Sequence, residues 1–158
     1  MIDGESRVRP AQLLMLGFHR RFAPHTRKIM QLLHGTTAPR AVVMTVNAGA
    51  IPSDHWTQDV AVGGGRIVGE ACHFIDLLRF VAGASISGWS LCSLGALAGV
   101  PSSSDSVSIT LEFGNGCIGT VHYLANGAPG FPKERLEIFG DGRVLQLDNF
   151  RSLRGWGW

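Results

Sequence analysis

The second half of the chain is a succession of short segments in which apolar and polar residues alternate, and no other feature constrains the fold as much. Glycine-containing turns or polar linkers separate five such segments, at residues 85–96, 106–113, 117–124, 135–139 and 144–147. Alternation with a period of two indicates strands that are half buried. The turns at 114–116 (Gly-Asn-Gly) and 140–142 (Gly-Asp-Gly) are typical of hairpins, because Asn-Gly and Asp-Gly pairs readily adopt positive φ. The pattern predicts an antiparallel meander.

The first half predicts two strands and two helices. Residues 13–19 form an apolar run short enough to be a buried strand, and residues 41–49 are rich in β-branched side chains. A helix should follow the first strand, with Pro24 in its first turn and Gly35 at its end. The apolar side of this helix is predicted to contain Phe22, Ile29, Met30, Leu32 and Leu33.

The second helix is predicted over residues 66–82, after a long loop at 50–65, and Gly83 is placed to end it. Its apolar side is predicted to contain Ile67, Ala71, Phe74, Ile75, Leu78 and Val81. Loops as long as the one that precedes it tend to be functional in compact domains. This loop is therefore the first place to look for a site.

The order of elements predicts an α+β domain, an open and predominantly antiparallel sheet with its helices packed on one face. Its length of 158 residues is that of one domain. We expect residues 1–12 to be a lead-in or linker, 13–150 the domain, and 151–158 a tail. The second face of the sheet should carry small hydroxyl side chains, such as those of Ser106, Ser108 and Thr110. Such a face pairs easily with another sheet.

Charge argues for a protein or small-molecule partner rather than a nucleic acid. Charged residues are 16% of the chain, against about 25% in a typical globular protein. Either one face is buried by a partner or second domain, or this is simply a compact, glycine-rich domain. The net charge is +2 and no basic stripe with stacking aromatic residues occurs. This composition excludes a nucleic-acid footprint.

The cysteines and the apolar runs predict a cytoplasmic protein. The chain has three cysteines, an odd number, at Cys72, Cys92 and Cys117. Each lies in an apolar run, and no two of them form a CxxC pair. This usage fits a reducing compartment, and no secretory signal opens the chain. The longest apolar run, residues 74–84, is too short to span a bilayer. The six histidines include no HxxxH pair, so no metal site is predicted.

Three glycines that lead straight into a helix form the most informative motif. Gly63, Gly64 and Gly65 precede the predicted second helix, in which His73 lies two turns from the start. The spacing is not the G-x-G-x-x-G of a dinucleotide site. Glu70 and Asp76 stand three residues before and after His73, so that a carboxylate could lie on each side of the imidazole. His73 is then either an acid–base group or a packed helix residue.

Three stretches, GFHRRFAPHTRKI, NAGAIPSDHWTQDVAVGGGRIVGEACHFIDLLRFVAG and FPKERLEIFGDGRVLQLDNF, resemble the C-terminal domain of the Gfo/Idh/MocA oxidoreductases. The resemblance covers residues 13–150. It is closest to sugar-modifying members, including bi-domain oxidoreductases associated with surface-polysaccharide synthesis. It implies an NAD- or NADP-dependent dehydrogenase acting on a sugar or nucleotide-sugar hydroxyl. The family's Rossmann domain and the lysine of its E-K-P segment do not occur here, so no cofactor is expected to bind this chain alone.

The resemblance also implies roles for residues around the glycine turn. His73 matches the family histidine that faces the nicotinamide and the substrate carbinol, and is the expected catalytic residue. The family often has an aspartate one turn earlier, where this chain has Gly69. Glu70 is a possible replacement for it, and Glu70 and Asp76 are expected to bind substrate.

Two further segments match parts of the family where ligands gather. Residues 17–22 resemble the family's G-F-N-R-R-F, with His19 replacing the asparagine. The resemblance implies that His19 and Arg21 contact the cofactor and that Arg20 contacts the substrate. Asp54, His55 and Trp56 lie in the loop where the family places substrate contacts.

Two functions remain open on the sequence. The first is the substrate-binding and oligomerisation domain of an oxidoreductase, completed by a Rossmann domain and self-associating through the sheet face. The second is a non-catalytic binding or assembly module with a vestigial pocket. Neither involves nucleic acid or membrane.

Overall fold

The computed structural model describes residues 15–52, 54–59, 61–95 and 105–158. Its helices are α1 (Pro24–Leu32) and α2 (Cys72–Ala82), with a π-helical turn at Ile67–Ala71 and 3-10 turns at His19–Phe22 and Trp56–Gln58. Its strands are β1 (Ala41–Asn47), β2 (Ile86–Ser93), β3 (Val107–Phe113), β4 (Ile118–Leu124), β5 (Glu134–Gly140), β6 (Arg143–Asp148) and β7 (Ser152–Trp156). None of the described helices is long and apolar enough to cross a membrane.

All seven strands form one open sheet in the order β2-β3-β4-β1-β5-β6-β7. Only β1 and β4 are parallel, with Ala41 opposite Ile118 and Asn47 opposite Leu124, and the other neighbouring pairs are antiparallel. The predicted open, predominantly antiparallel sheet is confirmed. Strand β1 lies in the interior of the sheet because it pairs with two strands from the second half of the chain.

Both described α-helices pack on one face of the sheet, where the core lies. From β1, Val42, Met44 and Val46 point into this core, and their exposed fraction is zero. Phe74, Leu77, Leu78, Val81 and Ala82 of α2 pack against them. Gly119 on β4 allows a close approach, because a Cβ there would lie 2.9 Å from Cδ2 of Leu78. The sheet and helix α2 therefore share a tightly packed contact.

The predicted helix ends and turns are largely as expected. Pro24 is the first residue of α1, and Gly83 ends α2 in the left-handed conformation, with φ 72°. Asp141 and Gly142 both have positive φ, at 53° and 67°, as a tight β5–β6 hairpin requires. At the β3–β4 turn the side-chain amide of Asn115 donates to the carbonyl of Ala82, 2.9 Å away.

Three expectations from the sequence are wrong. The described part of the apolar run at 13–19 is not a buried strand, since Met15 and Leu16 are 79% and 73% exposed. Phe22 is 70% exposed, although it was expected on the apolar side of α1. Residues 151–158 are not simply a tail, because most of them form β7, in which Trp156 pairs with Val144 of β6. Residues 1–12 lie outside the described residues.

Candidate active site at the start of helix α2

The glycine turn brings the loop back against itself before the π-helical turn begins. Gly64 and Gly65 have φ of 72° and 81°, a conformation that favours glycine. A Cβ on Gly63 would lie 2.7 Å from both the carbonyl oxygen of Trp56 and the Cα of Thr57. The three glycines are therefore needed to pack the 3-10 turn Trp56–Gln58 against the start of the helical segment.

A π-helical turn, Ile67–Ala71, leads into α2 and carries Gly69 and Glu70. Such turns are rare in proteins overall, but those that do occur often lie at functional sites. At Gly69 an added Cβ would meet only the carbonyl oxygen of Gly63, at 3.7 Å, so a side chain has room there. The site is therefore open at the position where the resemblance implies an aspartate.

Glu70 is held by groups from three other parts of the chain. Its carboxylate accepts a hydrogen bond from the hydroxyl of Tyr123 at 2.5 Å and another from Nζ of Lys133 at 3.1 Å. Arg66 Nη2 lies 3.5 Å from the same carboxylate. Arg66 is 6% exposed and also donates to the carbonyls of Gly49 and Ala48, at 2.7 and 3.1 Å.

These contacts set the ionisation of Glu70 and Tyr123. Burial raises the pKa of Glu70, but the hydrogen bonds from Tyr123 and Lys133 and the charges of Lys133 and Arg66 outweigh burial, so the pKa lies below its ordinary value. Burial and the hydrogen bond to Glu70 raise the pKa of Tyr123. The pair is therefore a carboxylate bound by a neutral phenol near neutral pH.

His73 lies in the first turn of α2, beneath the segment that precedes α1. Its ring meets that of Phe18 edge-on, with the centroids 5.6 Å apart. Its Nδ1 is buried and has no hydrogen-bond partner among the described residues. The carboxylates expected beside it are bonded elsewhere, since Glu70 binds Tyr123 and Asp76 binds Arg21.

The two arginines of the 3-10 turn His19–Phe22 are both engaged in ion pairs. Arg20 Nη2 lies 2.7 Å from Oε1 of Glu134 on β5, and its guanidinium stacks on the ring of Phe74 at 4.3 Å. Arg21 forms a bidentate pair with Asp76 on α2. These contacts fasten the turn to the sheet and to α2. His19 is exposed beside them.

A cleft of about 320 Å³ lies between the loop and the start of the helical segment. It is lined by Ile51, His55, Trp56, Thr57, Gly63, Gly65, Arg66, Gly69 and Glu70. Trp56 is 63% exposed, and His55 Nδ1 lies 2.8 Å from the hydroxyl of Thr57. Of the predicted site residues, the cleft brings together only His55, Trp56 and Glu70. Asp54, Arg20, Asp76 and His73 are not part of its lining.

Sequence reasoning missed Arg66, Tyr123 and Lys133. Lys133 precedes β5, and no local pattern relates it to the glycine turn. Tyr123 did carry a signal, because it is the chain's one tyrosine and lies on an apolar strand. A buried phenol usually has a hydrogen-bond partner, and Glu70 supplies it here.

Comparison with known proteins gives consistent results. Residues 28–146 match the family described as the GFO/IDH/MocA C-terminal domain. "Uncharacterized oxidoreductase YrbE" of Bacillus subtilis (strain 168) is 27% identical over 145 residues, which cover 87% of this chain and 41% of that protein.

Solved structures show the same fold. UDP-N-acetylglucosamine 3-dehydrogenase GnnA from Acidithiobacillus ferrooxidans is 22% identical, with a TM-score of 0.69, over 90% of this chain and 42% of that one. The WlbA dehydrogenase from Bordetella pertussis, solved in complex with NADH and UDP-GlcNAcA, is 16% identical, with a TM-score of 0.69, over 90% and 46%. The chain spans less than half the length of each of these relatives.

Proposed function

Because this chain belongs to the GFO/IDH/MocA family through its C-terminal domain, we propose that it is the substrate-binding half of an NAD(P)-dependent oxidoreductase. The substrate in this proposal is a sugar or nucleotide sugar, oxidised or reduced at a hydroxyl carbon. A second domain with a Rossmann fold supplies the cofactor site. The whole is a cytoplasmic enzyme, which agrees with three cysteines that are all free.

The observation that carries this proposal is the state of His73. A buried imidazole nitrogen without a bond is costly unless another group meets it. In a dehydrogenase a positioned imidazole exchanges a proton with the reacting hydroxyl, while the nicotinamide exchanges the hydride. His73 lies on the same helical segment as Glu70, which lines the cleft, so substrate held near the cleft could reach it once the second domain closes the site.

The cleft supports a sugar as the substrate class. Ligand sites combine an apolar surface with a few well-placed polar groups. Trp56 offers a flat, largely exposed ring, and Glu70, fixed by Lys133 and Tyr123, offers a carboxylate oriented for hydroxyl groups. The UDP-sugars named for GnnA and WlbA agree with this class.

The cofactor contacts implied by the resemblance fit only in part. Arg21 has its guanidinium taken up by Asp76, so it acts through the position of the 3-10 turn rather than by touching the cofactor. His19 is exposed on that turn and remains the better candidate for contact. The chain's one G-x-G-x-x-G run, at residues 114–119, joins the antiparallel strands β3 and β4 and does not open a helix. It therefore lacks the setting of a dinucleotide fingerprint, and in this proposal the other domain holds the pyrophosphate.

One observation favours the second function, a binding or assembly module with a vestigial pocket. Gly69 leaves the site without the carboxylate that the resemblance implies one turn before His73, and Glu70 does not replace it, since its contacts are with Tyr123, Lys133 and Arg66. An imidazole without such a partner is a weaker base.

A hybrid enzyme decides between these functions. The chain is joined to the nucleotide-binding domain of a relative such as GnnA, and reduction of NAD is followed with UDP-sugars. We expect turnover, and His73→Ala should lower kcat by about 10²- to 10⁴-fold. His34→Ala, at an exposed histidine after α1, is the matched control and should change kcat little.

A decrease in kcat of less than about threefold in His73→Ala would make His73 only a packed residue. A folded, oligomeric hybrid without turnover on any UDP-sugar would favour the assembly module.

A further inference from the structure

Strand β2 forms one edge of the sheet, and its sequence lacks the features that usually protect an edge. Its eight residues, ISGWSLCS, include no charged residue and no proline. The single irregularity is a register shift between Ile86 and Gly88, at the start of the strand. Free edges pair readily with other chains, and proteins usually protect them with lysine, proline or bulges. The opposite edge, β7, has five residues and carries Arg154.

The backbone of β2 presents hydrogen-bonding groups outward at every second residue. The amide of Leu94 donates to the carbonyl of Ser106 on the β3 side, at 2.9 Å. Because bonds to one neighbour recur every two residues in an antiparallel ladder, Cys92 and Ser90 also bond toward β3. Trp89, Leu91 and Ser93 then direct their N–H and C=O groups outward. No described residue pairs with that side of β2.

The side chains of the same residues are apolar and exposed. Trp89 and Leu91 are opposite the buried residues Leu111 and Ile109 of β3, so they project on the helix side of the sheet. They are nevertheless 72% and 44% exposed, whereas the main contacts of α2 with the sheet are those with β1 and β4. A partner strand at this edge would therefore gain backbone bonds and apolar contacts together.

We propose that β2 pairs with β2 of a second copy of this chain, antiparallel, about a two-fold axis through Ser90. In this register Trp89 faces Leu91 of the second copy, and Leu91 faces its Trp89. Both pairs fall at positions whose backbone groups point outward, so they form hydrogen-bonded pairs. An aromatic ring opposite an aliphatic side chain is a favourable cross-strand pair.

Neighbouring registers give the apolar side chains of β2 fewer apolar partners. An axis through Leu91 places Leu91 against its own copy and leaves each Trp89 opposite a serine, Ser93. An axis through Trp89 leaves each Leu91 opposite Ser87. Only the axis through Ser90 covers all four apolar side chains with apolar partners. The absence of charge in Ile86–Ser93 means that no like charges meet when two identical strands pair.

This edge contact goes beyond the proposed function and is independent of it. It would join two seven-stranded sheets into one continuous sheet. The face of the sheet opposite the described helices would stay free. A two-fold contact at the edge and a second at the face are compatible with a tetramer of dihedral symmetry, a common form of homo-oligomer.

Disulfide trapping of the full chain tests the register. Ser90 would face its own copy at a non-hydrogen-bonded position, where Cα atoms lie about 4.5 Å apart. A disulfide spans about 4.4–6.8 Å between Cα atoms. We expect Ser90→Cys, in a Cys92→Ser background, to form a covalent dimer rapidly on mild oxidation. The matched control is Ser87→Cys in the same background, which is also exposed on β2 but far from its own copy in this register.

Light scattering supplies the second measurement. Leu91→Lys should halve the molar mass of the species that contains the edge contact, while the circular dichroism of the chain stays that of the wild type. Rapid crosslinking of the Ser90 variant alone, with a smaller mass for Leu91→Lys, supports the proposal. Crosslinking no faster than that of the Ser87 control, an unchanged mass for Leu91→Lys, or a wild-type chain that is monomeric at high concentration overturns it.

Discussion

At the scale of single residues, the carboxylate of Glu70 is the point where the fold and the candidate site meet. It belongs to the π-helical turn before α2, yet its partners come from β4, from the residue before β5 and from Arg66. Its side chain is 28% exposed, so water screens these contacts only in part. A change at Glu70 should therefore affect stability as well as the shape of the cleft.

Glu70→Gln tests this coupling through pH. The contacts that hold the pKa of Glu70 below 4.5 stabilise the folded state when the carboxylate is ionised in both states. This stability is fully present above about pH 4.5 and is lost as pH falls through the lower, folded pKa. At pH 7 we expect Glu70→Gln to lower the free energy of unfolding by about 1–3 kcal/mol.

The gap between Glu70→Gln and the wild type should narrow on acidification, as followed by urea denaturation at several pH values. Glu112→Gln, at an exposed carboxylate of β3, is the control and should change stability little. A gap that stays constant from pH 7 to about pH 3 would contradict the role given to the Glu70 charge.

The candidate site could be predicted from the sequence only where it is local. The glycine turn, the helix after it and the position of His73 follow from short-range pattern. Helical spacing also placed Glu70 and Asp76 on either side of His73, but both carboxylates bond to residues that are distant in sequence. Arg21 binds Asp76 across 55 positions, and Tyr123 binds Glu70 across 53. Spacing within one helix contains no information about such partners.

At the scale of elements, the contact between α2 and β4 depends on the absence of a side chain at Gly119. A Cβ there would lie 2.9 Å from Leu78 and 3.0 Å from the ring of Phe113, both of them buried. Gly119→Ala should therefore push α2 away from the sheet and lower the free energy of unfolding by about 1–3 kcal/mol, as overpacking does.

The control for Gly119→Ala is Gly130→Ala, where nothing lies within 4 Å of the added Cβ. This variant should be neutral or slightly more stable, since alanine restricts the unfolded chain. Urea denaturation of both variants gives the comparison. Equal stability of the two would mean that α2 adjusts without cost.

The elements that the sequence mispredicted share one cause. The run at 13–19 is apolar enough for a strand, but Met15 and Leu16 are exposed and Phe18 instead packs on His73. Strand β7 was missed because Ser152–Trp156 shows no clear alternation, and its pairing with β6 decides its conformation. Strand formation depends on neighbours more than on local preference. The strands of the meander were predictable because apolar and polar residues alternate along them and because Asn-Gly and Asp-Gly pairs mark the hairpin turns.

At the scale of the whole molecule, the chain should not retain a nicotinamide cofactor by itself. Its one G-x-G-x-x-G run, at residues 114–119, lies between two strands and not at the start of a helix, where a pyrophosphate would bind. The few contacts available from His19 must then offset the cost of ordering the ligand. Titration calorimetry of the chain with NADH and with NADPH should give no binding tighter than about 100 μM, a free energy near 5.5 kcal/mol. A dissociation constant in the low micromolar range would contradict this prediction.

The second large-scale feature is the face of the sheet that no described helix covers. Ile118, Phe139 and Trp156 lie in one row across this face, through the partners Ala41 and Val144, and are 51%, 42% and 50% exposed. Some of the polar residues on this face are already paired within it. Arg135 binds Asp148 at 2.7 Å, and Ser108 lies 2.9 Å from His122 Nδ1. These pairs can be buried without leaving either member alone.

We predict that two copies pack through this face, burying about 1,600 Å² in total, the size of a standard interface. Ser108→Lys places an unpaired ammonium on the face, and burying it there would cost more than the contact provides. Size exclusion with light scattering should therefore show loss of this contact for Ser108→Lys. Gln31→Lys adds the same charge on the exposed side of α1 and should leave the molar mass unchanged.

Leu91→Lys separates the two contacts, because it removes pairing at the β2 edge and keeps pairing through the face. A wild-type chain that runs as a monodisperse monomer, or an oligomer equally indifferent to Ser108→Lys and Gln31→Lys, would refute the prediction.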